Sequence, residues 1–280
     1  MLVRYVEGDP KDTSYFGTQG IDDFSGNSLA NVVDGLDGND ILRGQAGGDT
    51  LRGGNGNNVL DGGTGADNLY GGIGDDILIV DSAGDRVFES VGGGTNDFVY
   101  ATASYTLAAG QEIEGFTAAP LANTAPVNLT GNELRQVIRG NNGVNTILGG
   151  GGNDSLYGFG GSDTIESQAG NDSLFGGTGV DRFQFRQSHL GAASGIDLIY
   201  GFTAADYIKF DTASVPFERS LFSTEFALGT SALDASDRVI YDKVSGAMWF
   251  DADGTGAQAK ILFAVLDTKP ALSAVDILLF

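Results

Sequence analysis

The chain has 280 residues, 45 of them glycine, with no cysteine, one histidine, and 37 acidic against 15 basic side chains for a formal net charge of −22. Such acidity without a basic patch excludes nucleic acid as a partner, and no eighteen-residue apolar run exists to form a transmembrane segment. The lack of cysteine leaves the redox compartment open, since disulfides are not the sole means of holding a fold in an oxidising compartment.

The opening Met-Leu-Val-Arg-Tyr-Val-Glu-Gly is too short and too polar for a signal peptide, and residues 1–16 are expected to form an N-terminal cap. A nine-residue unit then repeats without insertion over residues 17–79 and again over 131–184. Its fullest form is Gly149-Gly-Gly-Gly-Asn-Asp154-Ser-Leu156-Tyr157. Position eight is always apolar: Phe24, Val33, Leu42, Leu51, Leu60, Leu69 and Leu78, then Ile138, Ile147, Leu156, Ile165, Leu174 and Phe183. Each unit reads as a six-residue turn and a three-residue strand. Glycines at positions one, two and four, as in Gly62, Gly63 and Gly65, give the turn access to positive φ. Position eight faces inward and positions seven and nine outward, so Arg43, Arg52, Asp61, Tyr70 and Glu166 are expected on the solvent side. Two units make one coil of a flattened helix with a strand on each face. The expected fold is all-β: a right-handed parallel β-roll, or β-solenoid, stacked on calcium ions and closed by a β-rich C-terminal domain.

Turns on the same edge lie eighteen residues apart, so position six sets one carboxylate above the next. One edge of the first block carries Asp22, Asp40, Asn58 and Asp76; the other carries Asn31, Asp49, Asp67 and, if the frame runs on, Asp85. The second block offers Gln136, Asp154 and Asp172 on one edge and Asn145, Asp163 and Asp181 on the other. Carboxylates with turn carbonyls make an all-oxygen cage that suits Ca²⁺, and the chain has no thiolate or imidazole set for zinc or copper. The pairs Asp22/Asp40, Asp49/Asp67, Asp154/Asp172 and Asp163/Asp181 are expected to bind most firmly, with Asp67/Asp85 next. Pairs that include Asn31, Asn58 or Asn145 lack one charge. Gln136 and Leu134 mark a degraded coil. Stacked carboxylates oppose compaction until Ca²⁺ neutralises them, so the repeats are expected to fold only with the ion.

Residues 80–130 read as irregular solenoid coils, with β runs at 97–107 and 113–116 and turns at Pro120 and Pro126. After residue 184 glycine gives way to Phe, Ile and Leu, and residues 185–280 read as a C-terminal capping domain. A hairpin is expected from Arg238–Asp242 to Gly246–Phe250, then the acidic loop Asp251–Gly256 and a strand over 259–266. That loop has Leu262 at its twelfth position, where a helix-loop-helix calcium site needs Glu, so it reads as a hairpin turn.

The nonapeptides resemble the RTX family of calcium-binding repeat proteins exported by Gram-negative bacteria. Val99–Leu107 is similar to the spacer between their repeat blocks, Asp237–Phe280 to their C-terminal domain, and Ala274–Phe280 to their uncleaved secretion signal. The resemblance implies bound Ca²⁺, type I secretion machinery as a partner, and a secreted, extracellular or cell-surface protein that folds after export. Family members often carry an enzyme ahead of the repeats. Here sixteen residues precede the first unit, a single histidine cannot build the zinc-protease motif, and no Gly-x-Ser-x-Gly elbow occurs. His189 reads as a packing or surface residue. The function expected is a non-catalytic, calcium-folded module with a structural, surface or adhesive role. The alternative is a polysaccharide-active enzyme or glycan-binding protein using outward residues such as Tyr70, Tyr157 and Phe175.

Overall fold

The computed structural model describes residues 4–7, 13–187, 190, 195–211 and 219–279, the first of these as backbone alone. His189, Phe280, Ser194 and most of the N-terminal cap lie outside them. The chain divides into two compact units, Met1–Asn141 and Asn142–Phe280, a division that falls inside the second repeat block.

The first unit is built mainly on two parallel sheets wound from alternate units of the repeat, with the short parallel pairs Ala46–Gly47/Thr64–Gly65 and Tyr105–Thr106/Leu129–Thr130 beside them. One sheet runs through Arg4–Glu7, Asp22–Ser25, Ile41–Arg43, Val59–Asp61, Ile77–Val80, Phe98–Ala101, Gly115–Ala118 and Val137–Arg139. The other holds Ser14–Phe16, Val32–Asp34, Thr50–Asn55, Asn68–Ile73 and Arg86–Phe88. Register follows the eighteen-residue coil, with Leu51 beside Leu69 and Leu60 beside Leu78. The sheet continues past residue 79 in parallel, so 98–101 and 115–118 are further strands of the same wall.

The second unit begins in the same way. Ser155–Gly160, Ser173–Thr178, Asp197–Tyr200 and Ile261–Leu266 pair in parallel, as do Thr146–Gly150, Thr164–Gln168, Arg182–Arg186, Tyr207–Asp211 and Ile277–Leu279. The C-terminal segment thus adds its strands to both walls. Pairing turns antiparallel beyond Ile261–Leu266, where Ala247–Phe250 and then Val239–Tyr241 form the hairpin read in the sequence. Asp251–Gly256 lies in the connection between two of these strands, with the Asp253 amide on Asp251 Oδ1 at 3.3 Å.

Every position-eight side chain is buried, none more than 3% exposed. Burying a Leu or Ile in this way is worth about 1.5–3 kcal/mol each, which is what stacks one coil on the next.

Glycine has two separate jobs in the turn, where the sequence suggested one. Positions two and four adopt positive φ, as at Gly63 (73°) and Gly65 (151°). Position-one glycines do not. A Cβ there would meet the coil above: at Gly35 it would fall 2.7 Å from the Gly53 carbonyl oxygen and 2.5 Å from Asp40 Oδ2. Position one is glycine for want of space.

Candidate metal sites in the turn stacks

Most position-six side chains reach down their edge of the solenoid to the coil before them. Those that open an edge, Asp22, Asn31 and Gln136, turn back to an amide of their own turn. The Asp22 amide donates to Asp40 Oδ1 at 2.8 Å, Asp49 to Asp67 at 2.7 Å, and Asp67 to Asp85 at 3.0 Å. In the second unit Asp154 donates to Asp172 at 2.7 Å and Asp163 to Asp181 at 2.9 Å. Asparagine continues the ladder without the charge: the Asp40 amide donates to Asn58 Oδ1 at 2.9 Å and the Asn58 amide to Asp76 Oδ1 at 2.7 Å, while the Asn31 and Asn145 amides donate to Asp49 and Asp163. One carboxylate oxygen per aspartate is therefore structural.

The other oxygen is what makes the edge chemically active. A buried carboxylate oxygen has no hydrogen-bond partner at Asp22, Asp40, Asp49, Asp67, Asp76, Asp163, Asp172 and Asp181, and Asp154 is buried beside its stacked partner. Buried anionic oxygens without donors are costly and call for a cation. The same oxygens crowd the position-one glycines. A Cβ on Gly62 would lie 2.5 Å from Asp67 Oδ2, and one on Gly44 would meet both Asp49 Oδ2 and the Gly62 carbonyl oxygen. Carboxylate and carbonyl oxygens thus converge on one small space per turn. The donor set is hard, anionic and all oxygen, and it fits Ca²⁺.

Asp85 differs from the eight aspartates whose second oxygen has no donor. Its Oδ1 accepts from Asp67 and its Oδ2 from the amides of Asp81 and Ser82, both at 3.1 Å. Two aspartates outside the sequence-derived set behave alike: Asp197 accepts from the Asp172 amide and the Ser167 hydroxyl, and Asp206 from the Asp181 amide and Thr203. These three end their ladders with both oxygens occupied.

Burial without a cation drives these carboxyls up. Asp40, Asp67 and Asp76 are pushed from 3.8 to about 6 and Asp163 to about 7, chiefly by desolvation, with the next carboxylate of the stack adding to it. Asp49 and Asp181 rise for the same first reason. The Asp172 and Asp197 pair is also raised by burial.

Two acids of the first unit lie outside the sequence-derived set. Asp97 receives the Asp76 amide at 2.7 Å across 21 residues, and Glu89 is 4% exposed with neither oxygen in a hydrogen bond of normal geometry. Glu89 is pushed to about 8 by burial and by the charges of Asp97 and Asp76, which the amides of Gly72 and Gly71 only partly offset.

The outward faces also depart from expectation at one place. Glu166 is buried, because Gln184 Nε2 and Arg186 Nε both reach it at 2.7 Å and Leu190 and Phe263 line the same cavity. Tyr157, Phe175 and Tyr200 form a stacked column with centroids 4.5 Å apart and planes within 6°. Tyr70 stacks on Phe88 in the same manner at 4.2 Å. A sugar ring packs on an aromatic face, and in these columns neighbouring rings already cover the facing sides.

Among the described residues no helix is long and apolar enough to cross a membrane. Residues 16–51, 43–78, 52–87, 130–165, 139–174 and 157–184 match the family described as RTX calcium-binding nonapeptide repeat (4 copies). No curated protein matches the chain. Similar solved structures include the AlgE6R3 subunit from the Azotobacter vinelandii mannuronan C5-epimerase, at 28% identity over 56% of this chain and 81% of that one, TM-score 0.35. Another is the extracellular lipase LipA from Serratia marcescens, at 17% identity over 99% of this chain and 42% of the lipase, TM-score 0.32. The chain spans less than half of that lipase's length.

Proposed function

Both repeat blocks of this chain belong to the RTX calcium-binding nonapeptide family, and on that footing we propose that it is a secreted module folded by Ca²⁺ after type I export. The observation that carries the reading is the row of buried carboxylate oxygens without donors along both turn edges.

The ions would be held by the second carboxylate oxygens of Asp22, Asp40, Asp49, Asp67, Asp76, Asp154, Asp163, Asp172 and Asp181, with carbonyl oxygens of position-one glycines such as Gly53 and Gly62 beside them. Bound Ca²⁺ supplies charge neutralisation there. The chain's own residues do the rest: position-eight side chains seal the core, and the amide-to-Oδ1 ladder orients the stacked carboxylates in the folded coils. Because the unfolded chain offers no such site, binding energy becomes folding energy.

Timing of export fits the same energetics. Ile277 and Leu279 of the C-terminal tail are buried, and their strand pairs with Tyr207–Asp211. A tail used as a secretion signal is accessible to the export machinery before that strand forms. Low internal Ca²⁺ keeps it open, and external Ca²⁺ closes it. Outside the cell the module acts as scaffold or attachment surface, its partner a cell surface or a polysaccharide.

The test has two arms. Far-UV circular dichroism and hydrodynamic radius of chelator-treated protein are followed while Ca²⁺ is added, and export through a type I apparatus is compared with and without residues 274–280. The reading expects compaction with gain of β signal, and export that depends on the tail. A chain equally folded in chelator, or exported equally well without its tail, contradicts it.

A further inference from the structure

At the end of the first repeat block the period breaks in two ways at once. The residue eighteen after Gly71, where the turns below have Gly35, Gly53 and Gly71 itself, is Glu89. Asp76 then finds its stacked partner at Asp97, 21 residues on instead of eighteen. We propose that Asp76, Glu89 and Asp97 form a separate three-carboxylate site for a hard divalent cation of the calcium class, distinct in construction from the paired sites of the repeat. The assignment rests on the calcium reading above.

One carboxylate oxygen from each of the three lies within 4.8 Å of the others, and all three residues are buried, Asp76 and Asp97 at 0% exposure and Glu89 at 4%. Asp76 Oδ2 and Asp97 Oδ2 have no hydrogen-bond partner, and neither oxygen of Glu89 has one of normal geometry. An acidic cluster at a surface would be solvated and mean little. Here four carboxylate oxygens are shut away from water, two of them with no donor and two with only the poorly aligned Gly71 and Gly72 amides nearby, an arrangement that is costly unless a cation sits among them.

The backbone makes room for Glu89 specifically. In an ordinary turn the place where a position-one Cβ would sit is filled by the carbonyl oxygen of the coil above, as Gly53 does over Gly35. Over Gly71 that place is taken by Glu89 Oε1. A charged side-chain oxygen has replaced a neutral main-chain one. Gly94 completes the pocket: a Cβ there would meet the Gly74 carbonyl oxygen and lie 2.6 Å from Asp97 Oδ2. The site therefore has one more formal charge than a paired aspartate site and four carboxylate oxygens to give, with the Gly74 carbonyl oxygen beside them, a hard all-oxygen set that suits the flexible shell of Ca²⁺ better than the small octahedron of Mg²⁺. It ties the lengthened coil at residues 89–97 to the regular coil below.

Calcium bound per chain is measured by equilibrium dialysis of the full chain, metal-stripped beforehand, for the wild type, Glu89→Gln and Glu89→Gly. Thermal midpoints are recorded for each with chelator and with Ca²⁺. The expected result is about one ion fewer per chain in both variants, taken from the tightest class, with an excess of Mg²⁺ failing to displace it from the wild type. Glu89→Gln should also raise the midpoint in chelator, by removing buried repulsion, and lower it in Ca²⁺. That opposite pair of shifts is not produced by a residue that only packs. Glu89→Gly restores the repeat's own residue and covers the case in which the glutamine variant does not fold. Equal ion counts and affinities in wild type and Glu89→Gln overturn the site while leaving the repeat sites standing. A wild type that binds no Ca²⁺ overturns the calcium reading itself.

Discussion

The Asp49 amide donates to Asp67 Oδ1 at 2.7 Å, while Asp67 Oδ2 lies buried with no donor. One oxygen fixes the side chain and the other is left for a cation. Repeated along both edges, this division of labour lets a glycine-rich chain of formal charge −22 form a stacked solenoid.

Asp67→Asn and Asp85→Asn should therefore differ, although both residues stand in the same ladder. Asp67 has an oxygen to give, whereas Asp85 has both engaged. Asp67→Asn is expected to raise the Ca²⁺ midpoint of folding roughly tenfold, corresponding to about 1.4 kcal/mol, and Asp85→Asn by clearly less. Calcium titrations of the two variants by circular dichroism check the order. Equal shifts would contradict the distinction.

Glycine substitutions separate the two turn positions. Leu36 and Gln45 occupy position two with φ of 74° and 79°, a conformation that costs a non-glycine residue about 1–2 kcal/mol. Leu36→Gly and Gln45→Gly should each stabilise the Ca²⁺-loaded form by about 1 kcal/mol, after the added entropy of the unfolded chain. Gly44→Ala should act oppositely, because its methyl would enter the space shared by Asp49 Oδ2 and the Gly62 carbonyl oxygen. Urea unfolding in Ca²⁺ measures all three.

Stability without metal should fall as pH rises. In the metal-free fold Asp40, Asp67 and Asp76 titrate near 6 and Asp163 near 7, against 3.8 for the ordinary side chain. The fold then holds protons that the unfolded chain has released, so its advantage is complete below about pH 4 and is lost as pH climbs through about 6–7. Calcium competes for the same oxygens, so its apparent affinity should rise across that window. Circular dichroism of metal-stripped protein between about pH 4 and 8 reads the sign directly; a signal that strengthens with pH would contradict it.

Truncating the core tests the stacking. Leu60 is fully buried between the strands that carry Leu42 and Leu78. Leu60→Ala should cost about 2–5 kcal/mol in Ca²⁺, measured by urea unfolding.

Much of this was legible in the sequence because one period governs both core and edge. Position eight names the buried residues, from Phe24 to Phe183, and position six names the stacked acids. Legibility fails where coils lengthen. Asp97, Asp197 and Asp206 stand 21, 25 and 25 residues from Asp76, Asp172 and Asp181, so a fixed count of eighteen passes them by. A shorter signal finds them: Asp97-Phe-Val99, Asp197-Leu-Ile199 and Asp206-Tyr-Ile208 each keep the aspartate and the inward residue two places later, and Val99, Ile199 and Ile208 are all fully buried. Glu89 was hidden for another reason. It occupies a position read for backbone freedom, while the structure shows that position to be about space beside the carboxylates. Glu166 lay beyond reach because a side chain facing away from one core is taken up by Gln184 and Arg186 in a cavity that Phe263, distant in sequence, also lines.

The central claim, that Ca²⁺ among the turn carboxylates holds the coils together, is tested most directly by amide hydrogen exchange resolved along the chain, with chelator and with Ca²⁺ at neutral pH. The amides of Asp49, Asp67, Asp154 and Asp163, each bonded to the carboxylate of the next coil, should be strongly protected in Ca²⁺ and exchange nearly as an unfolded chain in chelator. Equal protection of those amides in both conditions would contradict it.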